Sequence, residues 1–169
     1  MHPAMVRTEP RQGCWRRGAR LLPAILAAAF LAPAVARADN GAKVYGAQCS
    51  ACHQASGTGV PGQFPKLSGR MAKISVTPEG RRYLASVVMY GLNGKIMVEG
   101  KPHTGVMPGF SRLSDGDLAA VLNFVARQGA SRKPPPFTAA EVAGYRRKPS
   151  PPAREIRDQR AALEAEGLM

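Results

Sequence analysis

The sequence predicts an all-α fold for a chain of 169 residues. Three segments carry apolar residues at helical spacing, and residues typical of helix N-termini precede them. Long irregular segments rich in glycine and proline separate these segments. Aromatic residues make up only 6% of the chain, which is low for a domain that must fill its own core. A bound prosthetic group could supply the missing apolar volume.

The first helix is expected to begin at a cap formed by Asp39 or Asn40 and to run into a pair of cysteines. Residues 54–77 and residues 92–112 contain many Gly, Pro and Ser residues and are predicted to be irregular. Loops of this length are uncommon in a compact domain unless they have a task, such as wrapping a ligand.

The second and third helices have clear start and stop signals. Thr77 is a candidate N-cap, Pro78 occupies the first helical position, and Gly91 is expected to end the helix. Ser114 is the candidate N-cap of the next helix, which Gly129 is expected to end. These two helices carry most of the predicted apolar core.

Residues 1–38 are predicted to be a secretory signal peptide. Residues 1–20 are basic, residues 21–36 are apolar, and cleavage is expected after Ala38. An uncleaved membrane anchor is the alternative. The apolar run is shorter than the ~20 residues that span a bilayer, and two prolines interrupt it. We therefore expect export to the periplasm.

The chain has a formal net charge of +13, and the 18 basic and 10 acidic residues after the leader give +8. A basic surface suits an acidic partner, a nucleic acid or an anionic membrane face. The sequence has no dense Lys/Arg run with interleaved aromatic residues, which would mark a nucleic-acid interface. We expect no nucleic-acid binding, and no stable membrane insertion once the signal has been removed.

Three regions follow the predicted leader. A helical domain is expected over residues 39–130. Residues 131–152 contain six prolines and are predicted to form an arm with a short helix capped by Thr138. Residues 153–169 are charged and have little apolar face, which predicts a tail that is weakly held or helical.

The segment Cys49-Ser50-Ala51-Cys52-His53 has the CxxCH spacing of c-type haem attachment. Two thiols at this spacing can form thioether links to the two vinyl groups on one porphyrin edge, and the adjacent imidazole can bind the iron. A zinc site would need a second ligand pair, which the chain lacks. A disulfide between the two cysteines would leave His53 unexplained. The motif therefore predicts one covalently bound haem c.

The sixth iron ligand must come from elsewhere in the chain or from water. Four methionines lie between the predicted leader and the tail: Met71, Met89, Met97 and Met107. Met107 is favoured because Pro108 follows it in a loop just before a strongly capped helix. His103 is the rival ligand and is ranked below Met107, since a lone loop histidine is more often exposed to solvent.

The region 39–130 resembles the class I c-type cytochromes, the monohaem electron carriers. It is particularly similar to cytochrome subunits of bacterial periplasmic dehydrogenases. The matching segments are C-S-A-C-H at 49–53, P-K-L-S-G at 65–69, M-P-G-F at 107–110 and L-A-A-V-L-N-F-V at 118–125. The resemblance also implies that Gly41 allows the first helix to cross the last helix closely near Phe124.

The resemblance implies a small cytochrome c fold whose helices wrap around one covalent haem, followed by the Pro-rich C-terminal extension. Cys49 and Cys52 would hold the haem. His53 would be the proximal iron ligand, and Met107 would be the distal one. The carbonyl of Pro65 would accept a hydrogen bond from the other ring nitrogen of His53.

The function that the resemblance implies is single-electron transfer rather than catalysis. The chain would act as a periplasmic carrier or as the cytochrome subunit of a periplasmic oxidoreductase. Its partners would be redox proteins: a periplasmic dehydrogenase, a terminal oxidase or another cytochrome. Two alternatives stay open at this stage. One is a haem-based enzyme or gas sensor with an open distal site, and the other is a basic nucleic-acid-binding or membrane-binding module.

Overall fold

The computed structural model describes residues 33–147 and 149–169. Residues 1–32, which hold most of the predicted signal peptide, lie outside the described residues. The elements, in chain order, are α1 Pro33–Gln48, α2 Ser50–His53, α3 Met71–Ile74, α4 Pro78–Tyr90, β1 Leu92–Val98, β2 Lys101–Met107, α5 Asp115–Arg127, α6 Ala139–Tyr145 and α7 Ala153–Ala165. None of the helices in this part of the chain has the length and apolar character needed to cross a membrane.

Helices α1 and α5 cross closely, and this crossing joins the two ends of the central domain. A Cβ atom added to Gly41 would lie 2.3 Å from the backbone oxygen of Ala120 and 3.0 Å from Cβ of Phe124. The rings of Tyr45 and Phe124 pack with their centroids 5.1 Å apart. Glycine therefore sets how closely the two helix backbones approach.

Side-chain caps fix the starts of three helices at the positions that the sequence predicted. The hydroxyl of Thr77 accepts a hydrogen bond from the amide of Gly80 at 3.1 Å. Ser114 caps α5 through the amide of Asp117 at 3.1 Å. Thr138 caps α6 in the same way at 3.1 Å. Each cap satisfies an amide that the helix itself leaves without a partner.

The start of α1 differs from the sequence prediction. The helix begins at Pro33, so Asp39 and Asn40 lie inside it and do not cap it. The side-chain amide of Asn40 instead donates a hydrogen bond to the carboxylate of Asp117 at 2.6 Å. This contact lowers the pKa of Asp117, together with that residue's hydrogen bond to Ser114.

The all-α prediction needs one correction, because β1 and β2 form an antiparallel hairpin within a region predicted to be irregular. Leu92 pairs with Met107 at the open end, and Val98 pairs with Lys101 beside the turn. The alternation of apolar and polar residues is obscured because glycines occupy two facing positions, Gly94 and Gly105. Glycine has no side chain, so the alternation of apolar and polar residues that predicts a strand cannot be recognised at these two positions.

Residues 131–147 contact α4 through Arg81 and α5 through Asn123. The guanidinium of Arg81 contacts both carboxylate oxygens of Glu141 at 2.6 Å and the carbonyl oxygen of Pro135 at 2.8 Å. It also lies 3.9 Å from the ring centroid of Phe137, which is a cation–π distance. The amide of Phe137 bonds to Asn123 of α5 at 2.7 Å.

The tail forms helix α7, and it is held more firmly than the sequence suggested. Ile156 and Leu163 are each 1% exposed, although they are almost the only apolar residues of this helix. Arg160 lies between them on the same face and is 6% exposed. Its guanidinium donates hydrogen bonds to the hydroxyl of Tyr83 and to the carbonyl oxygen of Met97. A narrow apolar face suffices here because the buried arginine has protein partners.

Candidate functional site

A cavity opens between the cysteine motif and the β-hairpin. Cofactor sites are typically concave and lined mainly by apolar side chains. The lining is mainly apolar and comprises Gln48, Cys49, Cys52, His53, Gln63, Phe64, Pro65, Leu92, Gly94, Ile96, His103, Gly105, Val106, Met107, Pro108 and Phe110. All five residues that the sequence analysis selected for the site, Cys49, Cys52, His53, Pro65 and Met107, therefore lie around one cavity.

The two cysteines lie at the transition from α1 to α2 and are partly exposed. Their thiols are free and are not joined in a disulfide. The amide of Cys49 bonds to the carbonyl oxygen of Tyr45 at 2.9 Å, so the end of α1 positions the pair. Burial and the neighbouring Cys52 raise the pKa of Cys49 to about 11. Such an environment suits a neutral sulfur, as in a thioether, better than the thiolate that a zinc site requires.

His53 is 8% exposed, and one neighbour fixes its ring. Its Nδ1 lies 2.9 Å from the carbonyl oxygen of Pro65, where the ring N–H donates the hydrogen bond. This bond leaves Nε2 as the nitrogen with a free lone pair. Burial lowers the pKa of His53, although the bond to Pro65 opposes the shift. A neutral, oriented imidazole is the form that binds a metal ion.

Met107 ends β2 and is followed by a tightly packed loop. The amide of Phe110 bonds to the carbonyl oxygen of Val88 in α4 at 2.9 Å. A Cβ atom on Gly91 would lie 2.4 Å from the backbone oxygen of Met107. Gly91 also has a φ of 84°, a conformation that side chains disfavour. Backbone contact with the end of α4 thus holds Met107 in the cavity wall.

The hairpin presents a flat patch of backbone to the cavity. Gly94 and Gly105 face each other in the register of the two strands, and both line the cavity. A Cβ atom added to either glycine would meet nothing within 4 Å. Leu92 and Ile96 flank this patch. Sequence analysis assigned no role to these four residues. Paired glycines beside apolar side chains fit a large planar group such as a porphyrin.

His103 lies on β2 and not in a loop as the sequence analysis assumed. It is 6% exposed, it pairs with Ile96 across the hairpin, and it lines the same cavity. Its Nδ1 is buried and has no hydrogen-bond partner among the residues that the structure describes. The expectation that this histidine is exposed to solvent was wrong.

Comparison with known proteins identifies the family to which this chain belongs. The family model for cytochrome c matches residues 38–128. Cytochrome c-552 of Thermus thermophilus is 44% identical over 131 residues, covering 75% of this chain and 87% of that protein. The cytochrome c subunit of the quinone alcohol dehydrogenase of Gluconobacter oxydans is 34% identical over 115 residues, which span 67% of this chain but 23% of that subunit. Cytochrome c6 of Picosynechococcus is 34% identical over 109 residues, covering 62% of this chain and 86% of that protein.

A helical domain with a CxxCH motif beside an apolar cavity defines a c-type cytochrome. The chain belongs to the cytochrome c family. It is thus an electron-transfer protein, and its cofactor is a covalently bound haem c. The resemblance to this family and the haem c that it implied are both confirmed.

Proposed function

We propose that this chain transfers single electrons through a haem c whose axial ligands are His53 and Met107. It would do so either as a free periplasmic carrier or as the cytochrome subunit of a periplasmic oxidoreductase. The observation that carries this proposal is the meeting of Cys49, Cys52, His53 and Met107 around one apolar cavity, although they are up to 58 positions apart in the chain.

The two ligand side chains have the electronic character that an electron carrier needs. Pro65 holds His53 by its Nδ1–H, so Nε2 would serve as the proximal ligand. Met107 would supply a neutral thioether as the distal ligand. The bound haem supplies a one-electron iron couple, and methionine with histidine ligation raises its potential relative to two nitrogen ligands.

The apolar cavity wall would also raise the reduction potential of the haem. Phe64, Ile96 and Phe110 are among its apolar lining residues. An apolar wall excludes water and disfavours the more positive, oxidised state of the iron site. It also leaves few solvent molecules that must reorient when the charge changes.

The partly exposed cysteines give the site its contact with solvent. Cys49 and Cys52 line the cavity and are partly exposed, whereas His53 is buried. The haem edge that the two thioethers hold would therefore be the edge nearest a redox partner. The net charge of +8 after the predicted leader would steer an acidic partner into a brief, salt-sensitive encounter.

A pair of methionine variants tests the ligation. We expect Met107→Ala to retain covalent haem, to lose the methionine–iron charge-transfer band of the oxidised protein, and to have a lower midpoint potential. The matched control is Met97→Ala, since Met97 lies on the same hairpin but is 45% exposed and does not line the cavity. A Met107→Ala protein that keeps the band would refute the assignment.

A pyridine haemochrome spectrum tests the covalent attachment. We expect the spectrum of a haem with two thioether links, and a mass that exceeds the mature polypeptide by one haem. Replacement of Cys49 or Cys52 by Ala should leave one link and shift the spectrum accordingly. A protein purified after correct maturation with no Soret band would refute the proposal.

Co-purification distinguishes the two settings of the proposed function. The similarity to a dehydrogenase cytochrome subunit supports the subunit role, and the similarity to cytochrome c-552 over most of its length supports the carrier role. A dehydrogenase that co-elutes with the chain from a periplasmic extract would indicate a subunit. The comparisons do not favour a haem enzyme or gas sensor, and Met107 in the cavity wall also disfavours an open distal site.

A further inference from the structure

Arg160 is a buried charged side chain to which the proposed electron-transfer site assigns no role. It is 6% exposed and lies on α7 between Ile156 and Leu163, which are each 1% exposed. A charged group in such surroundings is costly unless it is paired and hydrogen-bonded. Its Nη1 donates a hydrogen bond to the hydroxyl of Tyr83 at 3.2 Å, and its Nη2 donates one to the carbonyl oxygen of Met97.

The two partners of Arg160 belong to different elements of the fold. Tyr83 lies in α4 and is 3% exposed, whereas Met97 lies in β1. The carboxylate of Glu164, one turn further along α7, lies 2.8 Å from Nε of Arg160 and balances its charge. One guanidinium thus joins α7, α4 and the hairpin. Because the acceptor in β1 is a backbone carbonyl, the bond restrains the strand itself and not only a side chain.

The open end of the hairpin is held by the chain that leads into it and out of it. Gly91 ends α4, and Leu92 begins β1 directly after it. On the other side, the amide of Phe110 bonds to the carbonyl oxygen of Val88 in α4 at 2.9 Å. These contacts do not involve α7.

The turn end of the hairpin depends on contacts with separate elements. Val98 is 4% exposed there. Glu99 pairs with Lys66 at 3.4 Å, but both side chains are about half exposed, and solvent-exposed ion pairs contribute little. The bond from Arg160 to Met97, in contrast, comes from a guanidinium that solvent scarcely reaches. It is therefore the strongest polar contact at this end among the residues that the structure describes.

Movement of the turn end would open the cavity. Ile96 and His103 pair across the hairpin, and both line the cavity. Met97 pairs with Pro102, so a restraint on β1 passes to β2, the strand that ends at Met107. A hairpin that lifted at its turn would pivot about its α4 end and draw β2 away from the cavity.

We propose that Arg160 is a positioning residue for the haem site. By holding Met97 against α4, it keeps the hairpin closed over the cavity and so keeps Met107 on the iron. This inference rests on the proposed function, in which Met107 is the distal ligand. Arg160 does not line the cavity itself and acts only through the hairpin. Its bond to Met97 must break whenever the turn end lifts.

Displacement of the methionine by imidazole tests this role in the oxidised holoprotein. At saturating imidazole, the rate measured by stopped flow is limited by the opening of the site and not by the encounter with imidazole. Arg160→Met removes the donors and keeps an apolar side chain at this position. We expect the limiting rate to rise at least about tenfold, the effect of losing one hydrogen bond from a charged donor. An unchanged limiting rate would overturn the proposal.

Two other arginines of α7 provide matched controls. The side chain of Arg154 is 84% exposed and lies 3.9 Å from Asp158, so Arg154→Met should have the limiting rate of the parent. Arg157 donates a hydrogen bond to the side chain of Asn93 at 2.8 Å, but this contact is exposed. We expect Arg157→Met to raise the rate by less than about threefold. An effect as large as that of Arg160→Met would show that surface contacts hold the hairpin, and it would overturn the assignment to Arg160.

Hydrogen exchange of backbone amides separates a positioning role from a merely structural one. We expect the amides of β1 and β2 to exchange about tenfold faster in reduced Arg160→Met than in the reduced parent, because the hairpin opens more often. If Arg160 served only to dock α7, faster exchange would be confined to that helix and the hairpin amides would keep their parent rates. That result would overturn the proposal.

The spectrum of the unmodified protein keeps this proposal apart from the proposed function. Absence of the methionine–iron band in the oxidised parent would count against Met107 ligation, and hairpin exchange would then decide the role of Arg160. If Arg160→Met fails to mature with haem, nuclear magnetic resonance of the parent decides. We expect the Nη protons of Arg160 and the hairpin amides to have protection factors that agree within about threefold, since one opening frees both. Guanidinium protons that exchange while the hairpin stays protected would overturn the proposal.

Discussion

At the scale of single residues, Gly41 limits how closely α1 approaches α5. A Cβ atom there would lie 2.3 Å from a backbone oxygen, and a helix backbone cannot yield as a flexible side chain can. We expect Gly41→Ala to lower the free energy of unfolding of the holoprotein by about 2–3 kcal/mol, measured by denaturant titration.

The matched control for this prediction is Gly46→Ala on the same helix. A Cβ atom at Gly46 meets nothing within 4 Å. Alanine favours a helix over glycine by about 0.5–1 kcal/mol, so this variant should be slightly more stable than the parent. If both substitutions changed the free energy of unfolding equally, helix propensity and not the close crossing would determine the effect of Gly41→Ala.

Some features of single residues were predictable from the sequence, and others were not. The caps at Thr77, Ser114 and Thr138 were predictable because their signals are local. The burial of His103 was not predictable, because it depends on a strand pairing that the sequence did not predict. The roles of Met107 and Pro65 stay predictions that the structure supports by placing both residues at the cavity.

At the scale of elements, the hairpin forms one wall of the cavity beside the CxxCH motif. Gly105 presents no side chain to the cavity, and its neighbour Thr104 is exposed and does not line the cavity. We expect Gly105→Leu to occupy part of the cavity, and so to lower the ratio of haem to protein and weaken the methionine–iron band. Thr104→Leu should leave both unchanged. Full haem occupancy with a normal band in Gly105→Leu would contradict this role of the hairpin.

The hairpin and α7 were both beyond reliable prediction for the same physical reason. One face of each element meets something other than an apolar protein side chain. Gly94 and Gly105 line the cavity, and Arg160 is buried through hydrogen bonds to Tyr83 and Met97. Hydrophobic periodicity detects apolar burial only, so it indicated a loop in the first case and a weakly held tail in the second.

The contact between α4 and α6 predicts a pH-dependent contribution to stability. The hydrogen bonds from Arg81 lower the pKa of Glu141. The stability that this pair contributes is therefore present above the unfolded-state pKa of glutamate, about 4.3, and is lost as the pH falls through the lower folded-state value. We expect Arg81→Met to cost about 2 kcal/mol at pH 7.

Denaturant titrations over a range of pH check this prediction. The difference in unfolding free energy between Arg81→Met and the parent should shrink as the pH is lowered below about 4. Arg82 lies next to Arg81 but is exposed, so Arg82→Met serves as the control and should show little difference at any pH. A constant difference between Arg81→Met and the parent would show that packing against Phe137, and not the ion pair, dominates.

At the scale of the whole molecule, positive charge should govern encounter rates. The chain after the predicted leader carries +8, which two propionates would reduce. We expect the rate of oxidation by a small anionic complex to fall as ionic strength rises, and the rate with a cationic complex to rise. Stopped-flow measurements with both oxidants make the comparison. Two rates that respond to salt in the same direction would contradict electrostatic steering.

The crossing of α1 and α5 also has a consequence for the order in which the polypeptide folds. Gly41 and Ala120 touch although 79 positions separate them, so this contact needs a long loop to close. Almost the entire central region must have reached the compartment in which it folds before the two helices can dock. Until then the segment that carries Cys49 and Cys52 stays open, and the enzymes that form thioethers can reach both thiols before tertiary structure closes over them.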